Sequence, residues 1–225
     1  MKSTRMNPGR LKAAVLISGT GSNLKALIDA VASNYLDLDI VRVISNRADA
    51  AGIGHARSAS IPVSTISHRD YPDRISHDRA ITRVLEQDQA ELIILAGYMR
   101  ILSEEFTEKF SGRMINLHPS LLPLYKGLDT YNRALQAGDS ETGASIHFVT
   151  AGLDSGPVIA QVRIPIRNTD DASSLATRLG PLEHKLLVAT VAEFCQRRIR
   201  YENGQLMYND APLKQPLSLK QDGTF

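Results

Sequence analysis

Asn116 and His118 stand two residues apart in the run Met114-Ile-Asn-Leu-His118. In an extended backbone, residues i and i+2 leave the same face. An amide and an imidazole therefore share one space where an apolar strand runs out. An amide N–H can hold an oxyanion, and an imidazole titrates near neutrality. The pair suits acyl-type transfer, in which a negative oxygen is held and a proton is moved. Taken alone, an Asn-x-His more often just ends a strand, because convergent polar groups also occur for structural reasons. Pro119 and Pro123 stiffen the following loop, since proline fixes its own φ and restricts the residue before it.

Three other segments carry chemical residue types. Ser18-Gly-Thr-Gly-Ser-Asn-Leu24 joins a strand to a helix. Its glycines let backbone amides approach an anion, and the helix N-terminus adds positive partial charge. Ser22 and Asn23 add side-chain donors, so this is either a phosphate site or a tight turn without a ligand. The third glycine of a dinucleotide fingerprint is replaced by Leu24, and Asn46-Arg47 ends the second strand where an acid would bind a ribose. NAD is disfavoured on both counts. Ala151-Gly-Leu-Asp-Ser-Gly-Pro157 sets Asp154 among turn residues, where Asp is common. A functional Asp154 would have to meet His118, raise its pKa and leave it cationic near neutrality. Gly97-Tyr-Met-Arg-Ile-Leu102 follows a strand and offers Met99, Ile101 and Leu102 as an apolar wall for a flat ring, or as the core start of the next helix.

The elements that must position these residues alternate. Strands are expected at Leu11–Ser18, Ile40–Ser45, Val63–Ile66, Glu91–Ala96 and Arg113–Leu117. Helices are expected at Ser22–Val31, Ala50–Ser58 and Asp70–Gln87, the last burying Ile75, Ile81 and Leu85. Ser103 caps another helix, with Glu104 and Glu105 in its first turn. Continuous apolar strands between helices predict an α/β fold: a Rossmann-like open, mostly parallel sheet with helices on both faces. Longer strands at Ala144–Thr150 and Val158–Ile166 predict an antiparallel extension in the C-terminal half. A late helix follows at Ala172–Arg198, then a hairpin about Asn203-Gly204. In such sheets ligands bind beyond the carboxyl ends of the strands, which gathers Gly21–Asn23, Met99–Leu102, Asn116 and His118 at one crevice.

Composition narrows the function classes. A 225-residue chain that is 43% hydrophobic and 22% charged supports one large core, or at most two small domains. Residues 1–10 read as a leader and 11–225 as one domain. The formal charge of +2 and scattered Lys and Arg do not suggest a nucleic-acid partner, and fit a small anionic substrate. No apolar run is long enough for a membrane span. A single cysteine, Cys195, precludes an internal disulfide and a cysteine metal cluster, and reads as a core residue of the late helix. A cytoplasmic location is the simplest expectation.

Four of these motifs together, Ser18-Gly-x-Gly-Ser-Asn-Leu24, Leu95-Ala-Gly-Tyr-Met-Arg-Ile-Leu102, Asn116-Leu-His-Pro-Ser-Leu-Leu-Pro123 and Leu153-Asp-Ser-Gly-Pro-Val-Ile159, resemble the phosphoribosylglycinamide formyltransferases, the folate-dependent transformylases of purine synthesis. The resemblance runs from about Lys12 to the late helix. It implies the formyltransferase fold and transfer of a formyl group from 10-formyltetrahydrofolate, as co-substrate and without a metal, to glycinamide ribonucleotide. It implies Asn116, His118 and Asp154 as the catalytic trio, and Gly21, Ser22, Asn23 and Glu183 as contacts to the phosphorylated substrate. Arg74, Met99, Arg100, Ile101, Leu102 and Asn116 are the implied folate contacts. Leu124, Lys126 and Asp129 depart from the lysine, proline and histidine of the family pattern. His147 reads as a strand residue near the site. The expected partners are small molecules, with no nucleic acid or membrane, and the chain is expected to be a monomer or homodimer. Methionyl-tRNA formyltransferase, with its added C-terminal domain, and formyltetrahydrofolate hydrolase, with its N-terminal regulatory domain, fit the chain length less well. A non-catalytic phosphometabolite binder is the alternative outside enzymes.

Overall fold

The computed structural model describes residues 9–220 and 222–225, so most of the expected leader lies outside the described residues. Five parallel strands begin the chain: β1 Leu11–Ile17, β2 Leu38–Ser45, β3 Val63–Thr65, β4 Leu92–Leu95 and β5 Met114–His118. Between them lie α1 Ser22–Ala32, α2 Gly52–Ser58, α3 Arg74–Gln87 and α4 Glu104–Lys109. Then come α5 Thr130–Ala137, β6 Glu141–Phe148, β7 Val158–Pro165 and α6 Ala172–Cys195. The chain closes with β8 Ile199–Glu202, β9 Gln205–Tyr208, β10 Ala211–Pro212 and β11 Leu217–Ser218.

The main sheet runs β11-β7-β6-β5-β4-β1-β2-β3. β5 is the seam: it pairs parallel with β4 and antiparallel with β6. The order reverses between β1 and β4, which opens the crevice expected of such sheets. β4, and β1 from Ala13 onward, are apolar along their length because both their faces are covered. Leu27, Val15 and Leu186 are completely buried on one side, and Leu16, Ile81 and Ile93 on the other. Each such side chain contributes about 1.5–3 kcal/mol by leaving water.

Several expectations need correction. The helix expected from Asp70 starts at Arg74: His68–Asp70 is a separate 3-10 turn, and Asp73 caps α3 by accepting from Ser76 N at 2.7 Å. Pro72 lies at this break, and a proline disfavours helical geometry in the residue before it. Ile75 is 45% exposed, since it falls in the first turn of α3, beyond the buried stripe formed by Ala80, Ile81 and Leu85. The late helix ends at Cys195, not Arg198, and α5 is not among the expected helices, but other local signals are met. Ser103 accepts from Phe106 N at the start of α4, and Asn203 and Gly204 both have positive φ in the β8–β9 turn. Among the described residues no helix is long and apolar enough to cross a membrane.

Candidate active site

The end of β5 delivers Asn116 and His118 into one cavity of about 740 Å³, lined also by Arg74, Met99, Arg100, Ile101 and Asp154. Met99, Ile101, Leu128 and Leu153 are large apolar side chains left more than half exposed, and all four line this cavity. Exposed apolar groups gathered around convergent polar ones mark a ligand site. Leu102 is the exception to the expected wall. It is buried and lines a smaller neighbouring cavity of about 110 Å³, with Asn116, His147 and Asp154.

Asp154 reaches this cavity from the β6–β7 loop, where it adopts φ +44°, a left-handed conformation that Asp tolerates. Its Oδ2 lies 3.4 Å from His118 Nδ1, and both side chains are nearly excluded from water. Gly127 N donates to the same oxygen at 2.8 Å. His118 Nε2 faces the Tyr125 carbonyl at 2.9 Å, an acceptor only, so that nitrogen carries a proton in the neutral ring. Both ring nitrogens thus face acceptors, which fits an imidazolium.

Burial opposes that charge. Desolvation lowers the His118 pKa and outweighs the raising effects of the Tyr125 carbonyl and the Asp154 charge; His147 and Arg133 lower it further. The expectation of a ring made cationic by Asp154 is therefore corrected: Asp154 acts in the expected direction, but burial wins. Desolvation raises Asp154, yet the adjacent His147 ring, the bond from Gly127 N and the His118 ring bring it below its ordinary value. A buried histidine with a lowered pKa takes up its proton in the unfolded chain first. Its contribution to stability is present above the ordinary 6.5 and is lost as pH falls through that value. His118 is expected to titrate below 6.5 in the substrate-free protein, and lower still in Asp154→Asn. NMR titration of the imidazole measures this, and a wild-type midpoint above 6.5 would reverse the balance.

His147 has a larger part than that of a nearby strand residue. It sits at a register shift between β6 and β7, and such irregularities re-aim side chains. Its Nδ1 faces the Phe148 carbonyl at 2.8 Å, and its Nε2 lies 3.1 Å from Asn116 Nδ2 and 3.6 Å from Asp154 Oδ1. With the ring neutral, Nδ1 donates to the carbonyl and Nε2 accepts from Asn116, which orients the amide. No spacing rule pointed to this contact, because seven of the eight residues of β6 are buried and its inward face has no sequence marker.

The loop between β5 and α5 ties the groups together. Tyr125 Oη donates to Asp139 at 2.6 Å, Lys126 Nζ donates to Ser155 Oγ at 2.7 Å, and Arg133 donates to the Lys126 carbonyl at 2.6 Å. The three departures from the family pattern, Leu124, Lys126 and Asp129, fall in this loop, and Asp129 adopts φ +60° immediately before α5.

Gly21, Ser22 and Asn23 form the start of α1 and do not line the main cavity. Gly21 has φ +73° and no side chain caps the first turn, so its N–H groups stay available to an anion. Asn23 Oδ1 is buried without a partner, and a half-turn of the amide would place a donor there instead. A Cβ on Gly21 would lie 2.6 Å from the Gly52 Cα. Gly21→Ala is expected to destabilise the fold by about 2 kcal/mol or more, from left-handed strain and the clash together. An unchanged urea midpoint would contradict this. Glu183, on α6, reaches the main cavity only through Tyr131, whose Oη donates to it at 3.1 Å. Burial pushes both groups above their ordinary values. Cys195 is half-buried, with its thiol pushed up to about 11, mainly by burial. Among the described residues no group of three or more His, Cys, Asp or Glu is placed to hold a metal ion.

The family described as formyl transferase matches residues 11–191. The phosphoribosylglycinamide formyltransferase of Haemophilus influenzae is 40% identical over 199 residues, 88% of this chain and 93% of that protein. The bovine trifunctional purine biosynthetic protein adenosine-3 is 41% identical over 204 residues, 90% of this chain but only 20% of that protein. The solved phosphoribosylglycinamide formyltransferase of Coxiella burnetii superposes with a TM-score of 0.89 at 43% identity, covering 92% of this chain and 98% of that one.

Proposed function

The chain belongs to the formyl transferase family, and on that premise we propose that it carries the formyl group of 10-formyltetrahydrofolate to the amine of 5-phosphoribosylglycinamide, a step of purine biosynthesis. The products are the N-formyl ribonucleotide and tetrahydrofolate. One observation carries this reading. An amide, an imidazole and a carboxylate converge on the floor of a cavity whose walls are exposed apolar side chains.

The substrate amine attacks the formyl carbon, a C–N bond forms, and the carbonyl electrons move onto oxygen. Asn116 Nδ2 and His118 hold that oxyanion. In this reading the oxyanion replaces the Tyr125 carbonyl at His118 Nε2. The new negative charge offsets the desolvation that keeps the ring neutral, so His118 takes up a proton from solvent as the intermediate forms and returns it when the intermediate collapses. Asp154 orients the ring and stabilises the imidazolium. The amine gives up its proton, the bond to the folate nitrogen breaks, and that nitrogen takes a proton. Met99 and Ile101 hold the folate, with Leu102 contributing from the adjoining pocket. Arg74 and Arg100 line the cavity as its cationic contacts. The phosphate of the acceptor binds at Gly21–Asn23, and Glu183 supports that end through Tyr131.

The partners are these small molecules, and the domain spans residues 11–225 as a monomer or homodimer in a reducing cytoplasm. The decisive assay supplies 10-formyltetrahydrofolate to the purified chain with and without glycinamide ribonucleotide. Tetrahydrofolate formed only with the ribonucleotide supports transfer. Formation without it indicates hydrolysis, and none in either case overturns the reading. Ser22→Ala or Asn23→Ala should raise KM for the ribonucleotide roughly tenfold, the loss of one hydrogen bond to a charged group, with kcat nearly unchanged. Unchanged KM in both variants would remove the phosphate from this helix end.

A further inference from the structure

The segment that carries Met99, Arg100 and Ile101 has no ladder of its own. β4 ends at Leu95, and among the described residues no backbone–backbone hydrogen bond involves any residue from Tyr98 to Leu102. Met99 and Ile101 are more than half exposed, while Tyr98 and Leu102 on either side are buried. Burying those two side chains keeps the segment near the core, but burial has no direction. Two side chains supply the direction. Ser18 Oγ accepts from Met99 N at 2.8 Å and donates to Asn46 Oδ1 at 2.7 Å. At the other end, Asp78 Oδ2 accepts from Ser103 N at 2.6 Å. Asp78 Oδ1 lies 3.3 Å from His77 Nδ1, and His77 Nε2 faces the Ile66 carbonyl at 3.0 Å. Ser18 is 6% exposed and Asp78 2%. A carboxylate so deeply buried is unfavourable unless it is hydrogen-bonded, and for stability alone an apolar side chain would suit the inward face of α3 better. Asp78 also follows Arg74 by about one helical turn, so it ties the helix that bears Arg74 to the segment that bears Arg100.

We propose that Ser18 and Asp78 are positioning residues for the folate, which together hold Met99, Arg100 and Ile101 in the shape that receives it. This rests on the reading that the main cavity takes the folate. Neither residue lines that cavity, so each acts through the backbone it holds. Without one anchor the segment samples other shapes and only a fraction of the free protein is ready to bind. The apparent affinity for the folate falls by that fraction. Once the folate is seated the same wall is formed, so turnover at saturation is kept.

The test is steady-state kinetics with amide hydrogen exchange on the intact protein and on Ser18→Ala, Asp78→Ala, Asp78→Asn and Leu85→Ala. Ser18→Ala and Asp78→Ala are each expected to raise KM for 10-formyltetrahydrofolate roughly tenfold, a tenfold fall in the competent fraction, with kcat within about twofold of the intact protein. Exchange should quicken at Met99 N in Ser18→Ala and at Ser103 N in Asp78→Ala, and a saturating unreactive folate analogue should slow both again. Asp78→Asn keeps a carbonyl oxygen for Ser103 N and should restore most of the folate affinity. Leu85→Ala opens a cavity in the same apolar cluster at the far end of α3, and should lower the urea midpoint without moving KM. Unchanged folate KM in both Ser18→Ala and Asp78→Ala would overturn the proposal. So would a loss confined to kcat, or an equal rise in KM in Leu85→Ala, which would make the effect one of general stability. Should Asp78→Ala fail to fold, the Ser18→Ala values decide alone. No turnover by the intact protein would bring down the reading of the main cavity and this inference with it, whereas an active protein with unmoved KM in the variants brings down this inference only.

Discussion

Asp154→Asn is expected to lower kcat by roughly 10²- to 10⁴-fold, as when a carboxylate that orients and stabilises a catalytic imidazolium is lost, while KM for the folate stays within about threefold of wild type because the apolar walls are untouched. The substitution is nearly isosteric, and the amide oxygen can still accept from Gly127 N, so the loop keeps its anchor. What disappears is a negative charge 3.4 Å from His118 Nδ1. At an effective dielectric of about 20, a full charge pair at that separation is worth roughly 5 kcal/mol. The imidazolium loses this support just when an oxyanion needs it. Raising the pH should deepen the defect, because the variant's ring is harder to protonate. A variant with wild-type kcat at pH 7 would remove Asp154 from the mechanism.

Asn116→Ala is expected to cost roughly 10²- to 10³-fold in kcat, about 3–4 kcal/mol of transition-state stabilisation, as for other lost oxyanion donors. The amide is fixed from behind by His147, so it enters the reaction already oriented. Its loss should leave folate affinity nearly intact, since an oxyanion exists only after attack. Equilibrium binding of an unreactive folate analogue, measured beside kcat, separates the two effects. A variant that loses affinity and turnover in proportion would make Asn116 a binding residue instead.

The parts of this molecule that depend on local pattern were legible in its sequence. Val15, Leu16 and Ile17 announce a strand covered on both faces, and Asn116 and His118 share a side by the simple period of a strand. Asn203-Gly204 marks its own turn. The short helix α5 went unread because only Tyr131, Ala134, Leu135 and Ala137 of its eight residues are apolar, and it starts from a left-handed aspartate that signals a loop. Leu102 was assigned to the cavity wall because its neighbours Met99 and Ile101 belong there, yet the chain turns it into the core. The protonation of His118 is not legible in the sequence for a different reason. A carboxylate partner can be guessed from residue types, but the desolvation that outweighs it depends on everything packed around the ring.

β5 is the seam of the sheet, and the groups assigned to chemistry all lie on its downstream side, from Asn116 to Asp154. The glycine turn assigned to the acceptor's phosphate lies upstream, at the far side of β4. The groups proposed to hold the oxyanion and the glycine turn proposed for the phosphate are thus written in different stretches of the gene. On the proposed assignments, a change in that turn alters which phosphorylated acceptor is held and leaves Asn116, His118 and Asp154 where they are.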